Sequence, residues 1–273
     1  MKYLSTIVFA ATFFFAACNN STTSNKEMTK SPAIKTESVS YGTDSAKLTG
    51  FVAYDSSVTE KRPVVLVVHE WWGLNDYTKS RVKQLAELGY LAIAVDMYGD
   101  GKMGTNTEEA SKLSMPFYQN PALAKSRFDA ALAKIKTYAQ ADTSKIAAIG
   151  YCFGGGMVLN VARLGEPLTG VVSFHGSLVG TPADKNLLKA KVLVCHGADD
   201  QFVKPEEVAK FKKQMDSIGA DYTFKQYAGA THAFSNPAAT EMGQRFGIPI
   251  AYNAAADTAS WKDMKDFFGK IFK

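Results

Sequence analysis

The segment IAAIGYCFGGG, residues 146–156, passes from an apolar run into a turn in which Cys152 is surrounded by glycines. A turn this tight strains its central residue and leaves no space for bulky neighbours. With an apolar helix predicted from Phe153, the pattern has the form of a nucleophile elbow. The sulfur would project at the top of a sheet, beside backbone amides that favour thiolate. The alternative is a glycine-rich turn with an incidental buried cysteine.

Apolar runs and helical stretches alternate along the chain on both sides of this turn. Strands are predicted at Thr36–Tyr41, Leu48–Ala53, Val64–His69, Leu91–Val95, Ile146–Gly150, Gly170–Phe174, Val192–His196 and Tyr222–Tyr227. Helices are predicted at Tyr77–Leu88, Thr107–Met115, Ala122–Ala139, Phe153–Arg163, Pro205–Ile218 and Ala254–Phe272. The first two strands are expected to form an antiparallel hairpin at the sheet edge, and the apolar middle strands to be buried on both faces. The pattern predicts an α/β fold: a mostly parallel sheet of about eight strands with helices on both faces.

An acidic loop and a histidine loop follow the cysteine in chain order. Residues 196–203, HGADDQFV, carry adjacent carboxylates at Asp199 and Asp200 after a predicted strand. Residues 228–234, AGATHAF, carry His232 after the last predicted strand. Nucleophile, acid and histidine come in this order in α/β-hydrolases. His232 is predicted to act as base toward the thiol and then as acid toward the leaving group, while one of the two aspartates fixes its tautomer.

Several segments together resemble the dienelactone hydrolase family of α/β-hydrolases. Besides the cysteine turn and the histidine loop, they include residues 69–75 (HEWWGLN), 95–98 (VDMY) and 252–257 (YNAAAD), and the likeness covers nearly all of residues 36–273. In the family the acid precedes a residue-Phe-Val step, so the resemblance selects Asp200 as the acid. It implies a hydrolase of carboxylic esters or lactones that works through an acyl-cysteine intermediate.

The same resemblance implies roles for further residues. In the family, a glutamate at the position of Glu70 contacts the resting cysteine and helps to take its proton when substrate enters. The alternative for Glu70 is a loop carboxylate in a surface ion pair. The backbone N–H groups of Trp71 and Phe153 are expected to form the oxyanion hole. The substrate pocket is expected to be lined by Trp72, Tyr98, His175 and Phe234.

The chain departs from the family at the residues that bind the substrate carboxylate. Members that cleave dienelactone hold this carboxylate with two arginines. The matching positions here are Asp100 and Asn236, and neither side chain can pair with a carboxylate as arginine does. We therefore expect another ester or lactone as substrate, and an uncharged one.

The N-terminal segment has the pattern of a bacterial lipoprotein signal. Residues 1–17 contain a lysine followed by an apolar stretch too short to span a bilayer comfortably, and they end before Cys18 in the sequence FAAC. Two small residues before a cysteine resemble a lipobox, so lipidation of Cys18 is predicted. The alternative is an ordinary secretory signal followed by a chance cysteine.

Three segments are therefore expected: a signal peptide over residues 1–17, a polar tether over residues 18–35 and a hydrolase-like domain over residues 36–273. The anchor would place the domain in the cell envelope, on the periplasmic side and in contact with a membrane. Asn19, rather than aspartate, follows Cys18 and favours the outer membrane.

Composition and charge limit the partners. With 46% hydrophobic residues, 21% charged residues and a net charge of +5 without a like-charged block, the chain is not predicted to bind nucleic acid. No cofactor or metal is predicted, and a monomer or small homo-oligomer is expected. Cys152 and Cys195 are expected to be free thiols of unequal reactivity. A non-catalytic envelope lipoprotein that uses this fold for binding stays open, whereas a thiol oxidoreductase is disfavoured because no Cys-x-x-Cys motif is present.

Overall fold

Eight strands form one sheet in a computed structural model that describes residues 1–3, 31–43 and 46–273. The strands are β1 (Ile34–Thr43), β2 (Ala46–Asp55), β3 (Arg62–Val68), β4 (Leu91–Val95), β5 (Ala141–Tyr151), β6 (Gly170–Phe174), β7 (Lys191–Gly197) and β8 (Tyr222–Tyr227). The helices of the described residues are α1 (Asp76–Glu87), α2 (Thr107–Gln119), α3 (Pro121–Ile135), α4 (Phe153–Arg163), α5 (Pro205–Ser217), α6 (Ala239–Phe246) and α7 (Ala254–Ile271).

The strand order across the sheet is β1-β2-β4-β3-β5-β6-β7-β8. Strands β1 and β2 form the expected antiparallel hairpin at one edge, β2 pairs antiparallel with β4, and all remaining neighbours are parallel. Crossover helices then cover both faces of the sheet. The predicted α/β fold with a mostly parallel sheet is confirmed.

Strand β3 shows why the middle strands are apolar throughout. Val64, Leu66 and Val68 belong to the apolar cluster on one face of the sheet, and Val65 and Val67 to the cluster on the other. Because successive side chains point to opposite faces, a strand covered on both sides must be apolar at every position. The sheet therefore lies between two apolar cores. The carboxyl ends of its parallel strands are the edge at which a functional site can form.

The N-terminal predictions lie largely outside the described residues, which exclude 4–30 and therefore Cys18. Strand β1 begins at Ile34 because this residue already pairs with Asp55 of β2, so the predicted tether, residues 18–35, ends too late. Among the helices of the described ranges, none combines the length and the apolar character that crossing a bilayer requires.

Some predicted boundaries are wrong. Helix α3 ends at Ile135 rather than at Ala139, and β5 begins at Ala141 rather than at Ile146. The first residues of β5 pair with the start of β3 before a register shift, and their polar sequence, ADTSK, concealed a strand. Helix α6 was not predicted. It has only eight residues, ends at Gly247 in the left-handed conformation (φ 64°), and few of its residues are buried.

Candidate active site

Cys152 lies in a strained turn between strand β5 and helix α4. Its backbone has φ 53° and ψ −115°, a conformation that residues other than glycine rarely adopt. A Cβ atom at Gly150 would overlap the carbonyl of Gly154, and one at Gly154 would overlap the carbonyl of Val68. The glycines therefore allow a bend sharp enough to bring the cysteine to the carboxyl end of the sheet, at the start of a helix.

The structure brings the three predicted side chains of the cysteine, histidine and acid together. The Nε2 atom of His232 is 3.0 Å from the Sγ atom of Cys152, and its Nδ1 atom is 2.8 Å from Asp200 Oδ2. The other oxygen, Asp200 Oδ1, accepts hydrogen bonds from the backbone N–H groups of Phe202 and Val203, at 2.8 Å and 3.2 Å. These bonds fix the carboxylate toward the histidine.

The neighbouring Asp199 is exposed and takes no part in this contact. Its backbone N–H donates to the carbonyl of Ala230, which holds the acidic loop against the histidine loop. Of the two carboxylates that the sequence left open, the one facing the imidazole is therefore Asp200.

The charges within the cluster favour a protonated histidine. Burial alone would lower the pKa of His232, but the sulfur of Cys152 and the carboxylate of Asp200 outweigh it and raise this pKa to about 10. Burial likewise opposes ionisation of Asp200, yet its hydrogen bond to His232 and those from the backbone keep its pKa below the usual value. The contacts of the ring thus stabilise the imidazolium form of His232.

Glu70 is buried beside this cluster, with only 2% of its surface exposed. Its Oε2 atom accepts a hydrogen bond from Asn236 Nδ2 at 2.7 Å, and burial raises its pKa to about 7. It is therefore not a carboxylate in a surface ion pair. Among the hydrogen bonds of the described residues, the sulfur of Cys152 is joined to His232 and not to Glu70. The role in proton removal that the resemblance implies for Glu70 stays a prediction.

Glu70→Gln is expected to stabilise the protein more at about pH 8 than at about pH 5. The pKa of Glu70 is about 7 in the folded state and about 4.3 in the unfolded state. The wild-type protein therefore loses folding stability as the pH rises between these two values. Above about pH 7 the Glu70→Gln variant should be more stable than the wild type by roughly 3 kcal/mol, because the glutamine side chain accepts the same hydrogen bond without carrying a buried charge. Urea unfolding at both pH values measures this difference. The exposed Glu60→Gln is the control, and equal gains at both pH values would contradict the prediction.

A cavity of about 260 Å³ opens above Cys152 and His232. Its walls are mostly aromatic and aliphatic, and the described residues that line it include no lysine or arginine. The residues around it are Glu70, Trp71, Trp72, Ser114, Tyr118, Cys152, Ser177, Phe202, Val203, His232, Ala233, Asn236, Ala239, Met242, Ile248 and Ile250. Helices α2 and α6 and the loop after α6 supply much of the wall, and no pattern in the sequence indicates that these distant segments meet.

Of the four residues predicted to line the pocket, only Trp72 does so. The other three assignments are wrong. The Tyr98 hydroxyl donates to the carbonyl of Trp71 at 2.9 Å, behind the pocket wall. Phe234 is buried in the core, and His175 lies beneath the elbow without any exposed surface. These residues follow the same strand ends and loops as the site but point into the molecule.

The two positions that replace arginines differ in location. Asn236 lines the cavity and binds Glu70, whereas Asp100 is exposed and lies 3.5 Å from the ammonium group of Lys102. Neither provides a cation to the pocket.

The two residues predicted to donate backbone hydrogen bonds to the oxyanion lie in the expected segments. Trp71 lines the cavity next to Glu70, and Phe153 is the first residue of α4. The N–H groups of a helix's first turn have no acceptor within the helix, so that of Phe153 is suited to bind a ligand. Their joint action on an oxyanion stays a prediction.

Both cysteines of the described residues are free thiols, as expected. Cys195 is buried within β7, and burial raises the pKa of its thiol to about 12. Cys152 is partly exposed and lines the cavity. Only the latter is placed to meet a substrate.

Comparison with known proteins supports the resemblance seen in the sequence. The model of the dienelactone hydrolase family matches residues 48–272. A protein of Methylorubrum extorquens assigned as a carboxymethylenebutenolidase is 30% identical over 76% of this chain and 71% of its own length. Protein usf of Aquifex pyrophilus is 31% identical over 64% of this chain and 77% of its own length.

Solved structures agree with this assignment. The dienelactone hydrolase-like promiscuous phosphotriesterase P91 from metagenomic libraries superposes with a TM-score of 0.81 at 34% identity, over 87% of this chain and 98% of its own. The structure named m3DLH gives a TM-score of 0.83 at 32% identity, over 88% of this chain and 100% of its own. The chain therefore belongs to the dienelactone hydrolase family and is a hydrolase of carboxylic esters or lactones.

Proposed function

We propose that the protein hydrolyses its ester or lactone through Cys152 as nucleophile, with His232 as the general base and Asp200 as the group that orients it. The single observation that carries the proposal is the continuous contact from sulfur to imidazole to carboxylate, at 3.0 Å and 2.8 Å. A nucleophile in bonding reach of a base that a third group orients is the arrangement that acyl transfer needs.

The reaction proceeds in two steps. The sulfur of Cys152 attacks the carbonyl carbon while His232 holds the thiol proton, and the backbone N–H groups of Trp71 and Phe153 receive the negative oxygen. The C–O bond then breaks, His232 gives the proton to the leaving alkoxide, and a thioester remains on Cys152. A water molecule, deprotonated by His232, attacks this thioester, and the acid is released as the proton returns to the thiolate.

We propose further that the acyl group is neutral. A substrate carboxylate in the cavity would find no lysine or arginine among the lining residues that the structure describes, and would face Glu70 instead. Placing an unpaired carboxylate in such a site costs several kcal/mol. Apolar and aromatic side chains such as Trp72, Phe202 and Ile250 suit an alkyl or aryl acyl group.

Two p-nitrophenyl esters of matched shape test this function. With p-nitrophenyl butyrate we expect a burst of about one nitrophenolate per chain, followed by slower turnover, because the thioester must form before it is hydrolysed. Mono-p-nitrophenyl succinate differs only by a terminal carboxylate, and its kcat/KM should be at least about 100-fold lower. Equal kcat/KM values would contradict the neutral acyl group. Tight binding of esters and lactones without any turnover would instead indicate a non-catalytic binding lipoprotein.

We also propose that Cys18 carries a lipid that anchors the domain in the cell envelope, with residues 18–33 as the tether. The apolar segment before the sequence FAAC supports this proposal. It is tested by expressing the full chain with a radiolabelled fatty acid. Label should appear on the wild-type chain and not on Cys18→Ser, and a wild-type chain that remains unlabelled would exclude the anchor.

A further inference from the structure

His175 lies directly beneath the nucleophile elbow, immediately after strand β6, and is completely buried. Both nitrogens of its ring have partners. The backbone N–H of Cys152 is 3.1 Å from His175 Nδ1 and 3.0 Å from the carbonyl of Phe174, so it is shared between the two acceptors. On the opposite side of the ring, Nε2 is 2.7 Å from the hydroxyl oxygen of Ser235.

The direction of these hydrogen bonds is fixed by the first of them. A backbone N–H can only donate, so Nδ1 of His175 must accept and carry no proton. The neutral ring therefore holds its proton on Nε2 and donates it to the Ser235 hydroxyl. That hydroxyl in turn lies 2.8 Å from the Tyr77 hydroxyl and can donate to it. The ring thus accepts a hydrogen bond from the elbow, at Cys152, and donates one to the histidine loop, at Ser235.

The two loops joined in this way carry the reacting pair. Ser235 is three residues after His232, and its carbonyl accepts a hydrogen bond of 2.7 Å from the buried guanidinium of Arg81. The ring of His175 also packs edge-on against that of His232, with 5.3 Å between the centroids. Movement of the elbow relative to the histidine loop would break these contacts.

The surroundings of His175 keep its ring neutral. Burial is the main cause of a pKa well below the usual value, and the charges of His232 and Arg81 lower it further. A second proton would sit on Nδ1, opposite the N–H of Cys152, and would remove the acceptor. The electrostatics keep the ring neutral, and the hydrogen bond from Cys152 selects the tautomer that carries its proton on Nε2.

We propose that His175 is a positioning residue for the nucleophile: its buried neutral ring ties the backbone of Cys152 to Ser235 and so keeps the sulfur within reach of His232. This inference rests on the proposed role of Cys152. In this role, one buried histidine holds the strained turn of Cys152 at a fixed position relative to the loop that carries His232. Such positioning matters because a displacement of about 1 Å can lower a rate about 100-fold.

The test compares two substitutions of His175 in the full chain with p-nitrophenyl butyrate as substrate. His175→Phe retains a ring but neither hydrogen bond, so kcat should fall about 100-fold while KM changes less than about twofold. His175→Asn offers an oxygen near the position of Nδ1 and should recover kcat to within about tenfold of the wild type. Alkylation of Cys152 by iodoacetamide at neutral pH should slow in His175→Phe and recover in His175→Asn. A loss of fold stability alone would not produce this pattern.

Two serines provide a second comparison if His175→Phe does not fold. Ser235→Ala removes the partner of Nε2 and should lower kcat about tenfold. Ser173→Ala removes a buried hydroxyl that has no hydrogen-bond partner among the described residues, and it should leave kcat unchanged. Equal kcat values in these two variants, or full activity in a folded His175→Phe, would overturn the inference. Activity that survives in Cys152→Ala would instead overturn the proposed function.

Discussion

Cys152→Ala is expected to lower kcat for p-nitrophenyl butyrate by at least about 10⁴-fold and to abolish the burst, since no atom remains to form the thioester. The fold should survive, because the side chain removed is small and partly exposed at the cavity. Thermal unfolding of the variant should therefore resemble that of the wild type. Residual hydrolysis would come from binding and oxyanion stabilisation alone.

The second free thiol is the matched control for this prediction. Cys195→Ala removes a thiol from strand β7, where it is fully buried, and should leave kcat unchanged while lowering stability by about 1 kcal/mol. Iodoacetamide should inactivate the wild type with one equivalent bound at Cys152, as peptide mass spectrometry would show. Turnover in Cys152→Ala close to that of the wild type would exclude the cysteine as nucleophile.

The architecture was predictable because its middle strands are buried on both faces. A continuous apolar run bounded by turns leaves few alternatives, and Leu91–Val95 and Gly170–Phe174 match the predicted bounds. Predictions failed where polar residues join an element, as at the start of β5. They failed again at α6, which is short and is held in place largely by packing, where the carbonyl of Ile250 leaves no space for a side chain at Gly243.

The three side chains that meet at the candidate site were predictable from the sequence, and the walls of the cavity were less so. Cys152, Asp200 and His232 follow separate strands in a recognisable order, so the local sequence is enough to select them as candidates. Pocket walls depend on which distant segments meet, and no local pattern indicates that Met242 and Phe202 line the same cavity. His175 presented a different difficulty. It follows β6, the strand beside the one that leads to Cys152, but the order of strands in the sheet was not available from the sequence.

Asp200→Asn should be the second most damaging substitution, lowering kcat/KM by about 10³- to 10⁴-fold. The backbone N–H groups of Phe202 and Val203 hold Oδ1, so the amide oxygen must remain there and the amide nitrogen must face His232. An amide N–H pointing at Nδ1 forces the imidazole into the tautomer that carries its proton on Nε2. In that tautomer Nε2 cannot accept the thiol proton, and the charge that stabilised the imidazolium has gone.

Asp199→Asn is the control, since it makes the same change one residue earlier on an exposed side chain, and it should alter kcat/KM less than about twofold. The rate at which iodoacetamide alkylates Cys152 reports the reactivity of the sulfur independently of substrate binding. This rate should fall in Asp200→Asn and not in Asp199→Asn. KM for p-nitrophenyl butyrate should stay nearly constant in both, because neither aspartate lines the cavity. If Asp199→Asn were the more damaging change, the carboxylate at 2.8 Å from His232 would not be the one that orients it.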